Sequence, residues 1–129
     1  MVSLPEQLRK MLKVKEVRVD GSRGCATFVI EFDPEMLDIY GYIHGSVISI
    51  LNIIGAEVAA RLSIRGEEIL IVVNSVLNFI KQPEVFGDLE VESCVVTRTD
   101  RLVLVSTIIR CGEIDIGRGS VLFVTERIE

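Results

Sequence analysis

A single histidine, His44, stands in the run Asp38-Ile39-Tyr40-Gly41-Tyr42-Ile43-His44-Gly45-Ser46, directly before a long apolar stretch. Inside that stretch Glu57 is the one acid and Asn52 the one amide. A carboxylate, an imidazole and a hydroxyl in one segment are the materials of proton transfer and nucleophilic attack. Each also has a plainer reading. Glu57 precedes Arg61 by four residues, the favourable order for a helix ion pair. Asp38 fits a turn or capping carboxylate. Ser46 fits a helix N-cap, and with no His–carboxylate relay visible behind it, it is not read as a nucleophile. Asn52 fits a buried, satisfied amide. One histidine excludes a His-rich metal site. Cys25, Cys94 and Cys111 are odd in number with no CxxC spacing, so the expectation is buried reduced thiols on strands, with no metal and no cofactor.

The elements that must position these residues follow from the pattern. A short amphipathic helix is expected over Pro5–Leu12, with Ser3 as its cap. Val14–Asp20 and Cys25–Phe32 read as a hairpin around Gly21–Gly24, and Asp33-Pro34 breaks it. Ser46 is the expected cap of a helix over Val47–Ile64, apolar nearly all round in its first half and therefore wrapped on several sides. Arg61, Arg65 and Gly66 mark its wet end. Extended segments follow over Glu68–Ile80, Asp88–Arg98, Leu102–Arg110 and Ile114–Arg127, with a bulge expected near Gly117 and Gly119. Antiparallel hairpins with one helix on a single face make an α+β class, a curved sheet around a buried helix.

Composition sets the outer limits. The chain has 129 residues, one domain's worth, expected to span 1–129. With 49% apolar and 26% charged residues it is neither a disordered tail nor a collagen-like repeat. A net charge of −5 argues against a nucleic-acid backbone as partner. No apolar run spans a bilayer and Met1–Lys15 is not a secretory signal, so the protein is expected to be soluble and cytoplasmic, with no membrane partner. Mean hydropathy of +0.45 is high for a small domain and points to burial between subunits, hence a homo-oligomer. Sparse amides beside abundant Ile, Val, Arg and Glu give a thermophile-like composition.

The run from Asp38 to Ser46 resembles the hot-dog fold acyl-CoA thioesterases, whose phenylacetate-degradation and 4-hydroxybenzoyl-CoA branch shows Asn-x-x-Gly-x-x-His-Gly-Gly there. Asn78-Phe79-Ile80-Lys81-Gln82-Pro83 is similar to that branch's Asn-x-Phe-x-x-Pro segment, with one extra residue, and Gly87-Asp88-Leu89 to its Gly-Asp-Leu. The resemblance covers Val14 to Arg127. It implies a hot-dog fold, an antiparallel sheet wrapped around one long central helix, pairing as a dimer or a dimer of dimers. It also implies acyl-CoA thioester hydrolysis, with the carbonyl oxygen on unpaired N–H groups at the helix start. Gly45 and Ser46 would supply those amides. The family's acid lies nine residues after the motif His, where this chain has Ile53; Asp38, Ser46 and Asn74 replace Asn, Gly and Asp. Glu57, one turn beyond Ile53, and Asp38, in the loop over the helix mouth, are the replacement candidates for handling water. His44 would support the loop at the helix entrance and Asn52 would hold a water or carbonyl. Lys81 is the best placed of the scattered cations for CoA's phosphates. The rival class is a protein that binds acyl-CoA or a lipid-like ligand without hydrolysing it. Dehydration of a hydroxyacyl thioester would require His44 with Asp38.

Overall fold

The computed structural model describes Lys10 and residues 12–64 and 66–128. The expected helix over Pro5–Leu12, with its Ser3 cap, lies outside these residues except at Lys10 and Leu12, and so does Arg65. Six strands and one long helix form in the expected order: β1 (Val14–Asp20), β2 (Cys25–Ile30), α1 (Gly45–Arg61), β3 (Glu68–Phe79), β4 (Leu89–Arg98), β5 (Leu102–Cys111) and β6 (Ile114–Arg127). A 3-10 turn at Pro34–Met36 leads into the loop before α1. All neighbouring strands are antiparallel, in the order β1-β2-β4-β5-β6-β3. Thus β3, which follows the helix, crosses to the edge opposite β1.

One face of the sheet curves over α1, which packs on β2, β4, β5, β6 and β3. Ile48, Leu51, Ile54, Val58 and Ala59 of the helix are buried against Phe28, Val91, Val105, Val121 and Phe123 of the sheet. Wrapping is incomplete. Ser46, Ile50, Ile53, Glu57 and Arg61 form a strip at helical spacing that stays partly or fully exposed. The opposite face of the sheet carries a lattice of ion pairs, including Lys15–Asp88, Arg110–Asp115 and Arg118–Asp115.

Bulges create the curvature. Extra residues lie at Lys15 on β1, Val73 on β3, Val96 on β4 and Ile116 on β6, the last beside the expected Gly117. The Val73 bulge also changes which residues face the helix. Before it Leu70 packs on the core; after it Ser75, Leu77 and Phe79 turn toward α1 or its flanks.

Two expectations are corrected. The helix begins at Gly45 rather than Val47, because its N-cap is His44 and not Ser46, and it ends at Arg61 rather than Ile64. Past Arg61 the chain tightens, with Leu62, Ser63 and Ile64 N–H groups donating three residues back to Ala59, Ala60 and Arg61 carbonyls. The second concerns sulfur. Cys25 and Cys94 are register partners on β2 and β4, their Cα atoms 4.1 Å apart, and they form a disulfide; Cys111 is the buried free thiol. An odd count leaves one cysteine unpaired but does not forbid a pair, and only strand register reveals which residues meet.

Candidate active site

The entrance of α1 is built by a short closed loop. Asp33 caps the 3-10 turn by accepting from the Glu35 N–H at 2.9 Å, and the Lys13 ammonium beside it holds its carboxyl below the usual carboxylate range. Asp38 closes the next turn. Its Oδ1 accepts from the Tyr40 N–H at 2.9 Å and the Tyr42 N–H at 3.0 Å, while its own N–H donates to the Tyr42 carbonyl at 2.7 Å. The loop therefore folds back on itself, with Leu37 bridging Ile43 and the His44 N–H donating to the Met36 carbonyl. Its tip leaves Ile39, Tyr40 and Tyr42 exposed.

Gln82 pins the loop from the far side. Its Oε1 accepts from the Ile43 N–H at 2.9 Å, and its Nε2 donates to the Ile43 carbonyl at 3.3 Å. Sequence reasoning passed over Gln82, since an amide beside Pro83 carries no chemistry by type alone; only its place in the family-like segment pointed to it. Gln82→Ala removes both bonds and is expected to cost about 1–2 kcal/mol of stability, read as a lowered unfolding midpoint in urea. A midpoint equal to wild type would show that the loop stands without the clamp.

His44 then sets the state of the helix mouth. Its Nδ1 accepts from the Ser46 N–H at 3.1 Å and lies 2.8 Å from Ser46 Oγ. The His44 carbonyl accepts from the Val47 N–H at 3.0 Å and the Ile48 N–H at 3.3 Å. Of the first four amides of α1, only that of Gly45 has no acceptor among the described residues. The Phe79 ring stands over it, close enough that a Cβ on Gly45 would lie 3.2 Å from Cζ. An uncommitted N–H at a helix N-terminus, beside an exposed aromatic ring, suits a carbonyl oxygen that gains negative charge.

The remaining expected residues are dispersed. Glu57 is partly exposed and pairs with Arg61 at 2.9 Å. It lies twelve residues beyond Gly45 along the helix, about 18 Å at the α-helical rise. Asn52 is fully buried behind the mouth, its Nδ2 donating to Ser75 Oγ at 3.3 Å and the Val76 carbonyl at 3.2 Å, and its Oδ1 has no partner among the described residues. Lys81 is exposed just past the end of β3. The structure thus brings Asp38, His44, Gly45 and Ser46 to one mouth and leaves Glu57 away from it within a protomer. A polar cavity of about 780 Å³ opens at the other end of the sheet, lined by three arginines and three acids, with Arg98 bound to Glu68. Among the described residues, no group of three or more His, Cys, Asp or Glu is disposed to hold a metal, and no helix is long and apolar enough to cross a membrane.

No protein-family model matches the sequence, and no curated protein matches it. Solved structures do. A thioesterase family protein from Silicibacter pomeroyi superposes with a TM-score of 0.84 at 15% identity, over 95% of this chain and 91% of the other. A phenylacetic acid degradation-related protein from Ralstonia eutropha JMP134 gives 0.84 at 12% identity, over 95% and 92%. A thioesterase from Haemophilus influenzae gives 0.82 at 12% identity, over 93% and 82%. The chain has a hot-dog fold. Its hot-dog neighbours are thioesterase-family proteins, and identities this low establish the shared architecture alone.

Proposed function

We propose that this chain hydrolyses an acyl-CoA thioester to the carboxylic acid and free CoA. The observation that carries the reading is the unpartnered Gly45 N–H at the start of α1, in a hot-dog fold with thioesterase neighbours. The thioester oxygen sits on that amide, with the exposed Phe79, Ile80 and Tyr42 as walls for the acyl chain and Lys81 as the cation for a CoA phosphate. Asp38 holds the loop rather than the substrate, since its Oδ1 is taken by two backbone amides.

A dimer is the minimum assembly in this reading. β3 is an edge strand, and Ile69, Ile71, Val72, Val73 and Val76 along it are each between 39% and 52% exposed. An apolar edge of that length is a template for a second chain. Pairing two copies along β3 accounts for the high mean hydropathy. Placing lysine at both Ile71 and Val73 is expected to convert the dimer to monomer, read as a halved mass in sedimentation equilibrium. A double variant that keeps the wild-type mass would remove β3 as the interface.

The reading itself is tested by following thioester absorbance with short-chain, long-chain and aryl-CoA substrates in wild type, Asp38→Ala and Glu57→Ala. Turnover by wild type is the expected result. Collapse in Glu57→Ala with the fold intact would make that carboxylate the water-activating group. Stoichiometric retention of acyl-CoA without turnover would replace hydrolysis with ligand binding.

A further inference from the structure

We infer that Ser46 is the nucleophile of this site and His44 its base, so that hydrolysis runs through an acyl-serine intermediate. This rests on the thioesterase reading for its substrate and goes beyond it in chemistry. Position 53, where the resemblance places the acid, holds Ile53; Asp38 Oδ1 is bound to two loop amides, and Glu57 pairs with Arg61 about 18 Å along the helix from Gly45. A hydroxyl and an imidazole do meet there, with Ser46 Oγ 2.8 Å from His44 Nδ1. That is the contact between nucleophile and base that covalent catalysis requires.

Proton positions follow from the backbone. The Ser46 amide can only donate, and it donates to Nδ1. Nδ1 is therefore unprotonated, the ring proton resides on Nε2, and the Ser46 hydroxyl donates as well. No carboxylate is bonded to Nε2 among the described residues. The imidazole is oriented through its backbone, which the Met36 carbonyl and the Gln82 clamp on Ile43 hold in place.

The same geometry supplies a donor at the moment it is required. Ser46 Oγ attacks the thioester carbon, an O–C bond forms, and its proton passes to His44 Nδ1. A protonated Nδ1 no longer accepts, so the Ser46 N–H is released as negative charge reaches the carbonyl oxygen. It then joins the Gly45 N–H in holding that oxygen, an interaction made in the transition state and absent from the resting site. The C–S bond breaks, His44 returns the proton to the departing sulfur, and CoA leaves as the thiol. Water then attacks the acyl-serine with its proton going to Nδ1, the C–O bond to Ser46 breaks, and the proton returns to Oγ. The acid is released and both residues are restored.

The test uses two substrates. Intact-mass and peptide-mapping mass spectrometry follow wild type, Ser46→Ala and Ser49→Ala after rapid mixing with p-nitrophenyl acetate and with acetyl-CoA. The expected result is one acetyl group on Ser46 in wild type and Ser49→Ala, none at that position in Ser46→Ala, and thioester turnover lowered about 10²–10⁴-fold in Ser46→Ala, the worth of a positioned base with nothing left to activate. Ser46→Cys covers the case in which the alanine variant melts early: the acetyl group moves to sulfur. Wild-type turnover in Ser46→Ala, or acetylation elsewhere only, overturns the assignment and leaves the thioesterase reading standing. Acetylation of Ser46 by the nitrophenyl ester, without CoA release from any acyl-CoA, upholds the nucleophile and overturns the thioesterase reading. Neither acetylation nor turnover in wild type overturns both.

Discussion

Gly45→Pro is expected to lower thioester turnover by roughly 10²–10³-fold, the effect of deleting one oxyanion donor, while the unfolding midpoint stays close to that of Gly45→Ala. Proline is suited to the first helical position, where its missing N–H costs no helix bond. The preceding residue must then be extended, and His44 already is, at φ −63° and ψ 134°. Any Cβ at position 45 meets the Phe79 ring at 3.2 Å, and the exposed end of that ring can give by a few tenths of an ångström. Alanine makes the same contact and keeps the N–H, so the ratio between the two variants isolates the amide. Equal turnover in the two would remove Gly45 as the group that receives the carbonyl oxygen.

A second large effect is expected deep in the sheet. Gly119 pairs with Leu77 on one side and Thr107 on the other. A Cβ there would lie 2.5 Å from the Val76 carbonyl oxygen and 2.9 Å from Asn52 Nδ2. One obstacle is a side chain and the other is backbone of the neighbouring strand, which moves only if β3 and β6 separate. Gly119→Ala is expected to cost about 3 kcal/mol, the upper range of overpacking, or a fall of roughly 10 °C in Tm for a domain of this size. Gly87→Ala, with no heavy atom within 4 Å of the new Cβ, serves as the neutral comparison. Adding Asn52→Ala should relieve Gly119→Ala only in part. A midpoint for Gly119→Ala matching that of Gly87→Ala would show that the two strands have slack the packing does not indicate.

Strand positions were legible because alternation and tight turns are local signals. β1 at Val14–Asp20 and β6 at Ile114–Arg127 fall where the pattern places them; one apolar helix between two and four strands gave a curved sheet around a buried helix, and the motif resemblance made it a hot-dog. Glu57 and Arg61 were legible as a pair from spacing alone. The helix start was not, since Ser46, of the usual capping type, donates its own amide to His44 Nδ1, an imidazole capping where a hydroxyl or carboxylate usually does. The Cys25–Cys94 bond and the Gln82–Ile43 clamp were beyond reach for a related reason. Both join residues far apart in the chain, by 69 and 39 positions, and nothing short of register and loop packing brings them together.

The bulge at Val73 gives β3 something akin to a reading frame. A strand is read in steps of two, and Val73 shifts the phase once, between Leu70 on one side of it and Ser75, Leu77 and Phe79 on the other. Deleting that one residue would leave composition and hydropathy almost untouched. It would also leave the faces unchanged, because Val72–Phe123 and Asn74–Leu122 would become successive pairs of an unbroken ladder with Ser75, Leu77 and Phe79 still toward the helix. Flattening the bulge with Val73 retained is what would turn Phe79 away, bring Asn74 and Asn78 inward, and take from Asn52 the serine that it bonds. The site at one end of β3 thus depends on how the strand absorbs one extra residue about twenty ångströms away, and a residue inserted or removed beyond the bulge would shift the frame that the bulge has set.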